Sequence, residues 1–117
     1  MERNMFNTQY QSLAKRTAER PDGWLIDEDQ AKLAMFALGV SGESGEIADH
    51  VKKHIFHGHE LDKDHLAKEI GDVFWYLVNL ASHIDYDIGM IMRMNIEKLQ
   101  RRYPEGFSQE DSINRTD

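Results

Sequence analysis

The sequence predicts an all-α protein, a bundle of four to five helices assembled as a homo-oligomer. Three observations carry that reading. Only two prolines occur in 117 residues, Pro21 and Pro104, and both fall near segment ends, so long helices run uninterrupted. Val and Thr are scarce, which argues against a sheet. Apolar residues recur at helical spacing over several turns between polar caps.

The first helix is expected from about Thr8 to Glu19, with Asn7 as its N-cap and Phe6, Tyr10, Leu13 and Thr17 on its less polar face. Arg20-Pro21-Asp22-Gly23 reads as a turn. A second helix is expected from about Glu28 to Phe56, capped by Asp27 and ended near Gly58. The third runs from about Lys63 to His83 with Asp62 as cap. The fourth runs from about Ile88 to Tyr103, with Asp87 as cap and Pro104 just beyond. Residues 1–107 are expected to form one domain, and residues 108–117 a polar tail or extended arm.

Helix three has the clearest pattern. Leu66, Ile70, Val73, Leu77, Leu80 and Ile84 make one stripe, and Phe74, Trp75, Val78 and Ala81 add apolar surface elsewhere. A helix apolar nearly all round is buried, in its own bundle or at a subunit interface. A chain this short buries a limited core by itself, so a homodimer or homotetramer is expected.

Charge and composition exclude several classes. Fourteen basic against 21 acidic residues give a net charge of −7, unfavourable for a nucleic-acid polymer. No cysteine is present, so disulfides and thiolate metal sites are out. The N-terminal stretch lacks the apolar core of a signal peptide. The longest apolar run, Val73 to Ala81, contains Asn79 and is too short to span a bilayer. No membrane association and a cytoplasmic location are expected.

A second stripe runs beside the apolar one on helix three: Glu69, Asp72, Tyr76, Asn79 and His83. Two carboxylates thus share one face of a helix expected to be buried, where an unpaired charge costs several kcal/mol. Helix two repeats the arrangement with Glu43 and Glu46, followed by His50 and Lys53. Gly42, Gly45 and Gly71 flank these acids. Each glycine costs a helix about 1 kcal/mol against alanine, so they imply close helix approach or room for a ligand. A lone ExxE is ordinarily a solvated helix face; two glycine-flanked pairs on neighbouring helices are a different matter. Facing each other, the four carboxylates offer an all-oxygen ligand set for a hard divalent cation, Mg²⁺ or Mn²⁺. Mg²⁺ keeps open positions for water and substrate phosphate, so phosphate-ester chemistry is expected.

Gly42-Glu43-Ser44-Gly45-Glu46-Ile47-Ala48-Asp49 and Lys68-Glu69-Ile70-Gly71-Asp72-Val73 resemble the ExxE…ExxD signature of MazG-type nucleoside triphosphate pyrophosphohydrolases. The stretch Asn95 to Phe107 is similar to that family's last helix and its exit, and residues 7–18 to single-domain phage and bacterial members. The resemblance implies an all-α fold that forms dimers or dimers of dimers. It implies Mg²⁺-dependent attack of water between the α and β phosphates of a nucleoside triphosphate, giving monophosphate and pyrophosphate. It assigns Glu43, Glu46, Glu69 and Asp72 as metal ligands and catalytic carboxylates.

Substrate contacts are expected from Asn95, Lys98 and Arg102, a polar stripe on helix four that also suits a basic helix C-terminus. Lys53, Tyr76 and Asn79 follow the acidic pairs and are further candidates. Trp24 and Trp75 are candidates for stacking on a base, although tryptophan is more often core. The family's base pocket draws on its first helix and following loop, which adds Gln11 and Arg16 to Trp24. Two alternatives stand beside this reading. His50 and His54, with His57 and His59 after them, have spacing that suits a transition metal. A non-enzymatic helical interaction module with an acidic metal-binding face would need neither turnover nor metal.

Overall fold

The computed structural model describes residues 5–116. Five helices follow in order: α1 Met5–Ala18, α2 Glu28–Phe56, α3 Lys63–His83, α4 Ile88–Arg102 and α5 Gln109–Ile113. No strand occurs among the described residues. The protein is all-α, as expected. None of the described helices is long and apolar enough to cross a membrane.

The chain divides into an N-terminal unit ending at Ala31 and a second unit from Lys32 onward. In the first, α1 starts at Met5, so Asn7 lies inside the helix and is not its cap. The expected turn closes with the Gly23 N–H donating to the Arg20 carbonyl at 3.0 Å, and Gly23 takes φ +78°, a region glycine enters without cost. The Arg20 guanidinium lies 4.8 Å from the Trp24 ring centroid. Asp27 opens α2 through a reciprocal capping box: Asp27 Oδ1 accepts from the Gln30 N–H at 2.7 Å, and Gln30 Oε1 accepts from the Asp27 N–H at 3.0 Å.

In the second unit, α2 ends as expected at Gly58. Its φ of +73° turns the chain so that the His59 N–H returns to the Lys53 carbonyl at 3.2 Å. Asp62 caps α3, accepting from the His65 N–H, and Asp87 caps α4, accepting from the Gly89 N–H. Between them α3 closes with a Schellman motif. The Tyr86 N–H reaches the Ala81 carbonyl at 2.9 Å and the Asp85 N–H reaches the Ser82 carbonyl at 3.0 Å. Asp85 occupies the left-handed position, φ +64°. The short loop brings α4 back beside α3.

Helices α2 and α3 run antiparallel and meet through side chains. Phe36 packs edge-on against Trp75 and His83, at ring centroid distances of 6.3 and 6.0 Å. A Cβ at Gly39 would overlap the Tyr76 ring. His50 and His65 stack at 5.4 Å. These pairs fix one register along the hairpin, and it sets Glu43 level with Asp72 and Glu46 level with Glu69.

The close helix approach occurs at Gly39, while a Cβ at Gly42, Gly45 or Gly71 would meet open space, the second of the two expected roles, room for a ligand. Within the segment expected to be a polar tail or extended arm, Ser108 caps the short helix α5 by accepting from the Asp111 N–H at 3.0 Å. Residues from both α4 and the α5 region, Arg102 and Asp111 among them, line one cavity.

The core expected around α3 is not completed within a single chain. Among the described residues only Ala81 and Glu69 are buried. Phe74 is 47 % exposed and Trp75 56 %, and Ile70, Leu77 and Val78 are also exposed.

Candidate functional site

Of the four carboxylates expected to converge, one from each helix shares a cavity. Glu43 from α2 and Asp72 from α3 line one cavity of about 340 Å³ with Trp75 and Tyr76. Glu43 is half-buried, and Asp72, expected on a buried face, is exposed in the single chain. Lys68, one turn before Asp72, is engaged with Asp64 at 3.3 Å. Tyr76 is held on its other side by the space that Gly39 leaves, and its ring meets Trp75 edge-on at 5.0 Å.

Glu69 behaves differently. It is 7 % exposed, and its Oε1 lies 2.9 Å from His65 Nε2, one helical turn earlier. Its other oxygen, Oε2, is buried with no hydrogen-bond partner, and so is His50 Nε2 across the hairpin. A buried polar atom left unpaired costs about 1–3 kcal/mol, so each such atom calls for a partner, an ordered water or an ion. Glu46, level with Glu69, is exposed. The structure therefore brings Glu43 and Asp72 to a common cavity and draws Glu69 toward two histidines. The tight group of potential metal-ligating atoms among the described residues is His50, His65 and Glu69, all within 4.8 Å of one another.

The histidine expectation is corrected accordingly. His50 pairs with His65 and not with His54, whose Nδ1 is 2.8 Å from the His59 carbonyl. His57 and His59 lie together, 6.5 Å apart by ring centroid. His65 escaped the sequence reading. Its spacing to Glu69, i and i+4, was visible, but its meeting with His50 depends on the hairpin register.

The remaining candidates divide. Lys53 Nζ pairs with Asp49 Oδ2 at 2.9 Å, and Lys52 takes the other oxygen at 3.2 Å. Hydrogen bonding to Lys53, then Lys52, holds the Asp49 carboxyl below its ordinary range. The same bond to Asp49, with a smaller contribution from Glu46, raises Lys53. Lys53 is thus committed to its own helix. Asn79 Nδ2 donates to the Trp75 carbonyl at 2.8 Å, which ties the amide to the α3 backbone. Asn95 and Lys98 share a concavity with Arg101, whereas Arg102 faces the cavity toward α5, so the expected single stripe is split. Gln11 and Arg16 lie on α1 and Trp24 in the loop after it, all exposed in the N-terminal unit.

The donor set of the acidic faces fits a hard divalent cation: oxygens alone at Glu43 and Asp72, beside a cavity with room for more ligands. The family model of the MazG nucleotide pyrophosphohydrolase domain matches residues 31–107. The chain is 34 % identical over 110 residues to the Gene 37 protein of Mycobacterium phage L5, covering 91 % of this chain and 96 % of that one. No solved structure matches it. The match over most of the chain, spanning both acidic pairs, places the protein in the MazG nucleotide pyrophosphohydrolase family.

Proposed function

We propose that the protein hydrolyses nucleoside or deoxynucleoside triphosphates between the α and β phosphates, with Mg²⁺ as its cation and Mn²⁺ as a substitute. One observation carries this beyond family membership: carboxylates from two antiparallel helices, Glu43 and Asp72, line a common cavity with Tyr76 and Trp75.

In this reading Glu43, Glu46, Glu69 and Asp72 hold the cation. When bound, it neutralises polyphosphate charge and lowers the pKa of a coordinated water. A carboxylate not engaged by the cation takes the proton of the attacking water. The water oxygen joins the α phosphorus, the bond from that phosphorus to the bridging oxygen breaks, and pyrophosphate leaves with the bridging oxygen. Trp75, exposed at the cavity, offers a stacking face for the base. Asn95 and Lys98, with Arg101 beside them, suit the polyphosphate tail. Arg102 is assigned to the outer phosphates, and Tyr76 to orientation of the substrate at the acidic faces.

The test is a pyrophosphate-release assay over a panel of nucleoside triphosphates, with Mg²⁺ and with chelator. Turnover is expected only with the cation and should be lost in Asp72→Asn. Wild-type turnover in Asp72→Asn would overturn the metal assignment. No turnover on any triphosphate would leave the interaction-module reading in its place.

A further inference from the structure

We propose that His50, His65 and Glu69 form a second divalent-metal site, for a nitrogen-preferring cation of the Zn²⁺ class, which competes with the all-carboxylate set for Glu69. The ligating atoms of these three residues come within 4.8 Å of one another. They converge from both arms of the α2–α3 hairpin, His50 from one and the i,i+4 pair His65 and Glu69 from the other.

Two independent features point to a cation there. Glu69 is more than nine-tenths buried, yet its Oε2 has no partner. His50 Nε2, a lone-pair donor in one tautomer, is likewise buried and unpartnered. Two imidazoles and one carboxylate with a remaining open position are a common zinc set, with metal–nitrogen distances of about 2.0–2.1 Å. Closing to that geometry asks the ligand atoms to move inward, which the exposed His65 side chain permits. Asp62 adds negative charge at the edge of the group. Its carboxyl is lowered chiefly by the His65 N–H bond and further by the charges of His65 and His50.

Mg²⁺ favours oxygen ligands and keeps its waters, whereas imidazole suits Zn²⁺. Glu69 is therefore the point at which two cations with different preferences meet. Zn²⁺ held by the histidines withdraws Glu69 from the acidic set and inhibits; this consequence rests on the function proposed above, while the binding site does not.

The binding arm uses untagged, chelator-treated full-length protein titrated with Co²⁺ as a visible-absorbing stand-in for Zn²⁺. One equivalent per chain should give the absorption of low-coordinate Co²⁺. His50→Ala and His65→Gln should each weaken binding by roughly 100-fold or more, since even outer-shell losses cost 10–100-fold, and His54→Ala should not. If His50→Ala misfolds by circular dichroism, the exposed His65→Gln carries the test. Wild-type affinity in His65→Gln, or loss of binding in His54→Ala, would overturn the site. In the activity arm, Zn²⁺ should inhibit Mg²⁺-supported turnover of wild type, and His65→Gln should resist relative to its own uninhibited rate. Equal inhibition of both would overturn the competition for Glu69. Absence of turnover altogether would refute the proposed function, with the Co²⁺ titration still reporting on the histidine site.

Discussion

Residue by residue, the four carboxylates differ in burial: Glu69 is buried, Glu43 half-buried, and Glu46 and Asp72 are exposed. Asp72 and Glu43 face a shared cavity, while Glu69 is buried against His65. Asp72→Asn or Glu43→Gln should lower the turnover rate by orders of magnitude, and the double variant should lose little more than either single one, because the carboxylates act as a unit. Steady-state rates of the three variants check this. Asp49 gives a contrasting case. Removing it frees Lys53 and Lys52 from one carboxylate, so Asp49→Asn should change phosphate affinity only modestly and leave the cation requirement intact. The Asp62 cap carries a pH signature. Its folded pKa lies below the ordinary carboxylate value, chiefly because the His65 N–H bonds the charged form. The cap's contribution is present above about pH 4 and is lost as pH falls through the lower folded value. Asp62→Asn should remove that dependence, and melting curves from pH 6 to 3 would show it.

At the scale of elements, the helices obey their caps, and those were legible. Asp27, Asp62 and Asp87 mark the starts of α2, α3 and α4 in the sequence itself, and Gly58 marks a stop. The start of α1 was not legible, because Asn7 looks like a cap yet Met5 already stands in the helix. Helix α5 is not legible because four polar residues and a single isoleucine carry no apolar period. The signal that remained was Ser108 three residues before Asp111. The end of α3 is less economical than its start. Asp85 holds a left-handed conformation that costs a side-chain-bearing residue roughly 1 kcal/mol, so Asp85→Gly should stabilise the protein by up to about that amount, measured by denaturant unfolding. Gly39 is the reverse case. Gly39→Ala would push the Tyr76 ring toward Glu43 and Asp72 and should lower both stability and turnover. Adding Tyr76→Leu should recover stability, a coupling readable in a double-mutant cycle.

At the scale of the whole molecule, the apolar stripe of α3 was legible and its covering was not. Phe74, Trp75 and Val78 stay exposed in the single chain, and we propose that a second copy of the chain covers them. A homodimer or larger assembly is expected in sedimentation equilibrium at micromolar concentration, and Phe74→Asp should shift it toward monomer. The acidic signature was legible because ExxE and ExxD are local patterns. The histidine site was not, because His50 and His65 meet only once the hairpin register is set. Mg²⁺ should raise the melting temperature of wild type by binding the folded state, and Asp72→Asn should melt higher than wild type in chelator, since it relieves repulsion among the carboxylates. In the proposed reaction, water attacks the α phosphorus of a nucleoside triphosphate at the Glu43–Asp72 cavity. Running the reaction in ¹⁸O-water and weighing the products tests it directly. Label is expected in the nucleoside monophosphate and none in the pyrophosphate. Label confined to pyrophosphate, or orthophosphate as the first product, would contradict it.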